Sequence, residues 1–131
     1  MRRLPRWCGQ GDEVICFDPS YDSYAPAVAL SGGVLKRIAL TPPHFRVDWQ
    51  AFSALLSERT RLVILNTPHN PTATVWRQAD IEALWQAIGE REIYVLSDEV
   101  YEHICFCRRR SCQRIGAPSV TRAGGCRFIV W

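Results

Sequence analysis

Leu62-Val63-Ile64-Leu65-Asn66-Thr67-Pro68-His69-Asn70-Pro71 decides how this chain is read. Four apolar residues in a row, with no alternation, describe a strand covered on both faces. The run stops in a loop, residues 66–74, rich in Pro, Asn and Thr. Residues 78–88 then set Ile81, Leu84, Trp85 and Ile88 at i, i+3, i+4 and i+7, which predicts an amphipathic helix. Its start is poorly capped, because Trp76 and Arg77 offer no short acceptor side chain. A second apolar run, residues 93–96, ends in Ser97-Asp98-Glu99. Strand, helix and strand in that order imply a βαβ crossover and a parallel sheet.

The same alternation continues upstream. Residues 13–17 read as a strand stopped by Asp18-Pro19. Residues 24–30 read as a helix, with Pro26 in its first turn and Gly32-Gly33 past its end. Residues 34–40 form a further predicted strand, broken by Thr41-Pro42-Pro43-His44. Asp48 can cap a helix in which Trp49, Phe52, Leu55 and Leu56 recur at helical spacing. The fold class is therefore α/β, a mostly parallel sheet with flanking helices. Ligands of such sheets bind at the carboxyl ends of strands. That rule singles out residues 18–24, 66–74 and 97–101.

With 131 residues, 47% hydrophobic and 22% charged, the composition is that of an ordinary globular chain. No apolar stretch is long enough for a helical membrane span, which needs about 18 residues. Residues 1–11 are basic without an apolar core, so no secretory signal is expected there. The net charge of +3 hides an asymmetry. Residues 12–106 hold all thirteen acidic residues against seven basic ones, a balance of −6, while the two flanks carry nine arginines and no acid.

The loop at 66–71, with Ser97-Asp98-Glu99-Val100-Tyr101 downstream and Asp18-Pro19-Ser20-Tyr21-Asp22-Ser23-Tyr24 upstream, resembles the fold-type-I pyridoxal-phosphate aminotransferases. The likeness is to the class I/II branch that includes methionine and kynurenine (glutamine-type) aminotransferases, and it covers residues 11–106. It implies part of the large domain of that fold. It also implies pyridoxal 5'-phosphate as cofactor, a methionine-like or aromatic amino acid and a 2-oxo acid as substrates, and a homodimer in intact relatives. Asp98 matches the carboxylate that keeps the pyridine nitrogen protonated, which makes the ring a better electron sink. Asn70 and Tyr101 match the donors to the phenolic oxygen. Tyr21 matches the aromatic stacked on the ring, worth about 0.5–1.5 kcal/mol. Asn66 shapes the loop and is a candidate for the substrate carboxylate.

Each of these residues has a plainer reading. Asp98 could be a helix-cap carboxylate, Asn66 and Asn70 turn residues beside prolines, and Tyr101 a half-buried helix aromatic. Pro68 and Pro71 are structural under both readings. His69 and His103 fit no metal or triad pattern and are expected at the surface. Thr72-Ala73-Thr74 stands where many relatives have a glycine.

Several family elements are missing. The Schiff-base lysine lies downstream of the Asp98 motif in relatives, whereas the single lysine here, Lys36, lies upstream on a predicted strand. Lys36 is expected to be solvated beside Arg37, so no catalytic residue is assigned. The glycine-rich phosphate turn and the distal substrate arginine are missing too. Covalent catalysis needs an amine nucleophile, so the chain as written is expected not to transaminate.

The flanks admit three readings. One is a noncatalytic, nucleic-acid or acidic-partner binding protein using its arginine-rich ends. Another is a metal site on Cys105, Cys107, Cys112 and Cys126, although no Cys-x-x-Cys pair occurs. The third is translation from another frame. Codons can be chosen for residues 106–131 whose neighbouring frame contains Ala-Val-Ala-Val and ends Ser-Ser-Phe-Gly, resembling the family's approach to its lysine. The expected organisation is a doubtful head at 1–11, a partial cofactor-binding domain at 12–106, and an out-of-frame, disordered tail at 107–131. Sheet edges stripped of neighbours predict poor folding. The cysteines suggest free thiols, with Cys16 buried, in a reducing cytoplasm.

Overall fold

The computed structural model describes residues 8–101 and 103 and the backbone of 127–130. Its elements run β1 (Glu13–Asp18), α1 (Tyr24–Leu30), β2 (Val34–Ala39), α2 (Trp49–Leu55), β3 (Thr60–Asn66), α3 (Gln78–Ile88), β4 (Tyr94–Asp98) and β5 (Arg127–Val130). They form one sheet in the order β2-β1-β3-β4-β5. Every neighbouring pair is parallel, as the strand–helix alternation predicted.

Side-chain alternation along the strands divides the core in two. Ile15, Phe17, Val63, Leu65 and Val95 face one side, where Phe52 of α2 and Ile81, Leu84 and Ile88 of α3 cover them. Val14, Cys16, Leu62, Ile64 and Leu96 face the other, where Tyr24 and Val28 of α1 pack. The unbroken apolar run of β3 is thus explained: both of its faces are covered. Phe52 is fully buried; Phe17 stacks on it at 6.0 Å between ring centroids and meets Trp76 edge to face at 4.8 Å.

The helix ends follow local chemistry. Asp48 accepts from the amides of Gln50 and Ala51 at 2.9 and 3.0 Å and so caps α2. Gly32, at φ 79°, takes the left-handed turn after α1. At α3 the expected lack of a capping side chain at Arg77 is offset from inside the helix, where Asp80 accepts from the Arg77 amide at 3.1 Å.

Three expectations need correction. His69 is buried, not at the surface: Nδ1 lies 2.7 Å from Thr72 Oγ1, and burial holds its pKa below the ordinary histidine range. Lys36 is not a freely solvated residue. It pairs with Glu13 at 2.7 Å and donates to the Leu55 carbonyl at 3.1 Å, because β2 lies beside β1 with Lys36 near the buried Glu13. In the tail, where no regular structure was expected, the backbone of Arg127–Val130 pairs with β4. Apolar, β-branched residues in that stretch suit a strand. Residues 1–7, 102, 104–126 and 131 lie outside the described residues, and with them Cys105, Cys107, Cys112 and Cys126 of the metal-site reading.

Candidate active site

The sheet order reverses next to β1: its chain neighbour β2 lies on one side and β3 on the other. Loops leaving the carboxyl ends of β1 and β3 diverge at such a switch point, which opens a crevice. All three loops singled out by the sequence lead into this end of the sheet.

Register brings the groups together. Asn66 and Asp98 are opposed residues at the ends of β3 and β4. Asn66 Nδ2 donates to the Asp98 carbonyl at 3.1 Å, and its Oδ1 accepts from the Asn70 amide at 2.6 Å. Trp76 Nε1 donates to the Asn66 carbonyl at 3.1 Å. The Asn-Pro loop is therefore held at both ends, and its second asparagine is turned toward β4. Asn70 Nδ2 reaches Tyr101 Oη at 3.5 Å.

Tyr21, Asn66, Asn70, Asp98, Val100 and Tyr101 line one cavity of about 440 Å³. That size falls in the range of small-molecule sites, about 300–1,000 Å³. Every candidate site residue from the sequence is among these six. Tyr21 is 43% exposed at the rim and Asp98 is 8% exposed.

Tyr24 is the residue that sequence reasoning missed. Its hydroxyl donates to Asp98 Oδ2 at 2.6 Å, across 74 positions of chain. Its ring meets Tyr21 edge to face, with centroids 5.6 Å apart. Burial, then the bond to Asp98, pushes the Tyr24 phenol well above the ordinary tyrosine range, so it remains a donor. No local pattern marks it, because its partner Asp98 lies 74 positions away at the end of another strand.

The pocket suits a planar, partly charged heterocycle. Asp98 is buried, and among the described residues its Oδ1 has only a long 3.4 Å bond, from the Val100 amide, so it can accept from a ring N–H. A carboxylate offers about four lone-pair sites. Asn70 and Tyr101 form a pair of donors nearby, and Tyr21 offers a ring face or edge. These groups fit pyridoxal phosphate. Among the described residues, no cluster of three or more His, Cys, Asp or Glu could hold a metal ion, and no helix is long and apolar enough to cross a membrane.

Comparisons with known proteins place the chain in a family. The family model for aminotransferase class I and II matches residues 4–122. That span includes 12–106 and runs into both flanks. The chain is 73% identical over 110 residues to the methionine aminotransferase of Escherichia coli, covering 84% of this chain and 28% of that protein. It is 34% identical over 107 residues to a probable kynurenine–oxoglutarate transaminase of Saccharomyces cerevisiae, covering 73% and 24%. Against the crystal structure of Escherichia coli YbdL, described with a methionine aminotransferase function, the TM-score is 0.79 at 72% identity, over 83% of this chain and 28% of that one. The chain thus spans under a third of the length of these relatives. None of these matches supports the nucleic-acid reading of the flanks. Pyridoxal phosphate is the cofactor of the matched family, and by sequence and fold the chain belongs to the class I and II aminotransferases.

Proposed function

We propose that this chain is the segment of a pyridoxal-phosphate-dependent aminotransferase that holds the cofactor ring. The whole enzyme transfers an amino group from a methionine-like or aromatic amino acid to a 2-oxo acid. The observation that carries this reading is the convergence of Tyr21, Asn70, Asp98 and Tyr101 on one cavity.

When bound, pyridoxal phosphate supplies the electron sink. The residues supply orientation and charge. Asp98 accepts the pyridine N–H and keeps the ring protonated. Asn70 and Tyr101 donate to the phenolic oxygen. Tyr21 fixes the ring plane. Asn66 spends its carbonyl on Asn70 and one amide hydrogen on Asp98; its second amide hydrogen is the group available to a substrate carboxylate.

The amine nucleophile is not supplied by Lys36, which Glu13 and the Leu55 carbonyl already hold. We read residues 107–131 as translated from a neighbouring frame, and sequencing the gene through residues 105–107 checks this. The two described cysteines are free and buried, which suits a cytoplasmic enzyme, and we expect the whole enzyme to work as a homodimer.

The test is a graft. Residues 12–106 replace the matching segment of the Escherichia coli methionine aminotransferase, and transfer from methionine to a 2-oxo acid is measured. Activity within about tenfold of the host is expected, with a loss of about 100-fold in the Asp98→Ala graft. A folded Asp98→Ala graft with undiminished activity overturns the reading.

A further inference from the structure

Tyr24 touches both groups that would fix the cofactor ring. Its hydroxyl is 2.6 Å from Asp98 Oδ2, and its ring meets Tyr21 at 77°, with centroids 5.6 Å apart. It is the first residue of α1, packed on one sheet face, whereas Asp98 ends β4, two strands away from β1. The residue is 7% exposed, so the bond is made out of bulk water. A charge-assisted bond of this length is among the strong ones, roughly twice a neutral hydrogen bond.

We propose, on the reading above, that Tyr24 is a positioning residue for the ring-nitrogen carboxylate. By donating to Oδ2 it fixes the plane of the Asp98 carboxylate and leaves Oδ1 to face the pyridine N–H, while its ring packs against Tyr21 at 77°. One side chain thus couples the nitrogen partner to the stacking partner. The phenol needs no proton transfer for this role. A buried carboxylate with a single short donor is otherwise free to rotate, and a rotated carboxylate meets the ring nitrogen at a poor angle.

The experiment uses the full 131-residue chain and pyridoxamine phosphate labelled with nitrogen-15 in the ring. This probe carries no aldehyde to react with Lys36. Dissociation constants and the ring nitrogen-15 chemical shift are measured for the parent, Tyr24→Phe, Asp98→Asn and the double variant. Phenylalanine keeps the ring against Tyr21 and removes only the hydroxyl. The expected results are a bound ring that is protonated in the parent, about tenfold weaker binding in Tyr24→Phe, and a shift toward the unprotonated value. The double variant should bind no worse than Asp98→Asn alone. A purely packing role would instead lower the melting temperature, leave the nitrogen shift in place and give additive losses; that result overturns the proposal. Should Tyr24→Phe fail to fold, difluorotyrosine at position 24 keeps the shape and changes only the donor, and an unmoved nitrogen shift overturns the proposal equally. Failure of the parent to bind overturns the cofactor reading itself. A parent that binds with an unchanged Tyr24→Phe overturns only the positioning role.

Discussion

Two buried carboxylates sit at opposite ends of this sheet. Glu13 opens β1 at the amino end, and Asp98 closes β4 at the carboxyl end. Glu13 is surrounded by protein donors: its Oε2 takes Lys36 Nζ at 2.7 Å, Ser57 Oγ at 2.5 Å and Thr60 Oγ1 at 3.2 Å, while Arg59 lies 3.8 Å from Oε1. Among the described residues, Asp98 has one short side-chain donor, Tyr24, and it borders a cavity. The charge of Glu13 is consumed by the fold. The charge of Asp98 is held in place with acceptor capacity to spare, and that remainder is what a ligand can use. Burial alone does not distinguish a structural acid from a functional one; the count of internal donors does.

The sharpest break of this comparison is Glu13→Ala. Losing the carboxylate strips the hydrogen bonds from Lys36, Ser57 and Thr60 together and costs about 3 kcal/mol, read as a lower denaturant midpoint, with cofactor affinity in the folded fraction unchanged. The hydrogen bond from Lys36, then that from Ser57, holds the Glu13 pKa below its ordinary 4.5. The unfolded chain therefore takes up this proton first as pH falls. Glu13 contributes its stability at pH above 4.5 and loses it as pH drops through the folded value. Glu13→Gln should flatten that acid limb in urea titrations.

Asp98→Ala should do the converse. Binding of pyridoxamine phosphate should weaken by about 30-fold, roughly 2 kcal/mol, while urea stability changes by less than for Glu13→Ala.

The contrast also marks what the sequence could tell. Strand and helix bounds were legible where periodicity was strong: Gln78–Ile88 emerges with the predicted limits, and Asp48 caps α2 as its side-chain chemistry requires. The candidate site was legible as well, because Tyr21, Asn66, Asn70, Asp98 and Tyr101 fall in loops that a parallel sheet must gather at one end. The partners of Lys36 and His69 were not legible. Lys36 meets Glu13 through strand pairing and Ser57 meets Glu13 from the turn after α2, and neither separation carries a local signal. His69 is buried by how its loop folds back, with the His69 amide donating to the Thr74 carbonyl at 2.8 Å. Tyr24 escaped for the same reason: its partner lies across the sheet.

Smaller effects sharpen the picture. Asp48→Ala should cost about 1 kcal/mol of stability through the lost cap, with no change in cofactor affinity, since α2 lies over the sheet face away from Tyr24. Tyr21→Ala should cost about 1 kcal/mol of cofactor affinity through lost stacking, with stability unmoved because Tyr21 is exposed at the rim. One probe thus responds to the amino end and the helices, the other to the carboxyl end.

The central claim is that the cofactor ring is held at the Asp98 end and that the Glu13 end only supports the fold. Equilibrium dialysis of pyridoxamine phosphate against the parent chain, Asp98→Ala and Glu13→Gln, each at a pH where it is folded, tests this directly. The account predicts saturable binding to the parent, equal binding to Glu13→Gln and a loss of about 30-fold in Asp98→Ala. Equal losses in both variants, or none in Asp98→Ala, would contradict it.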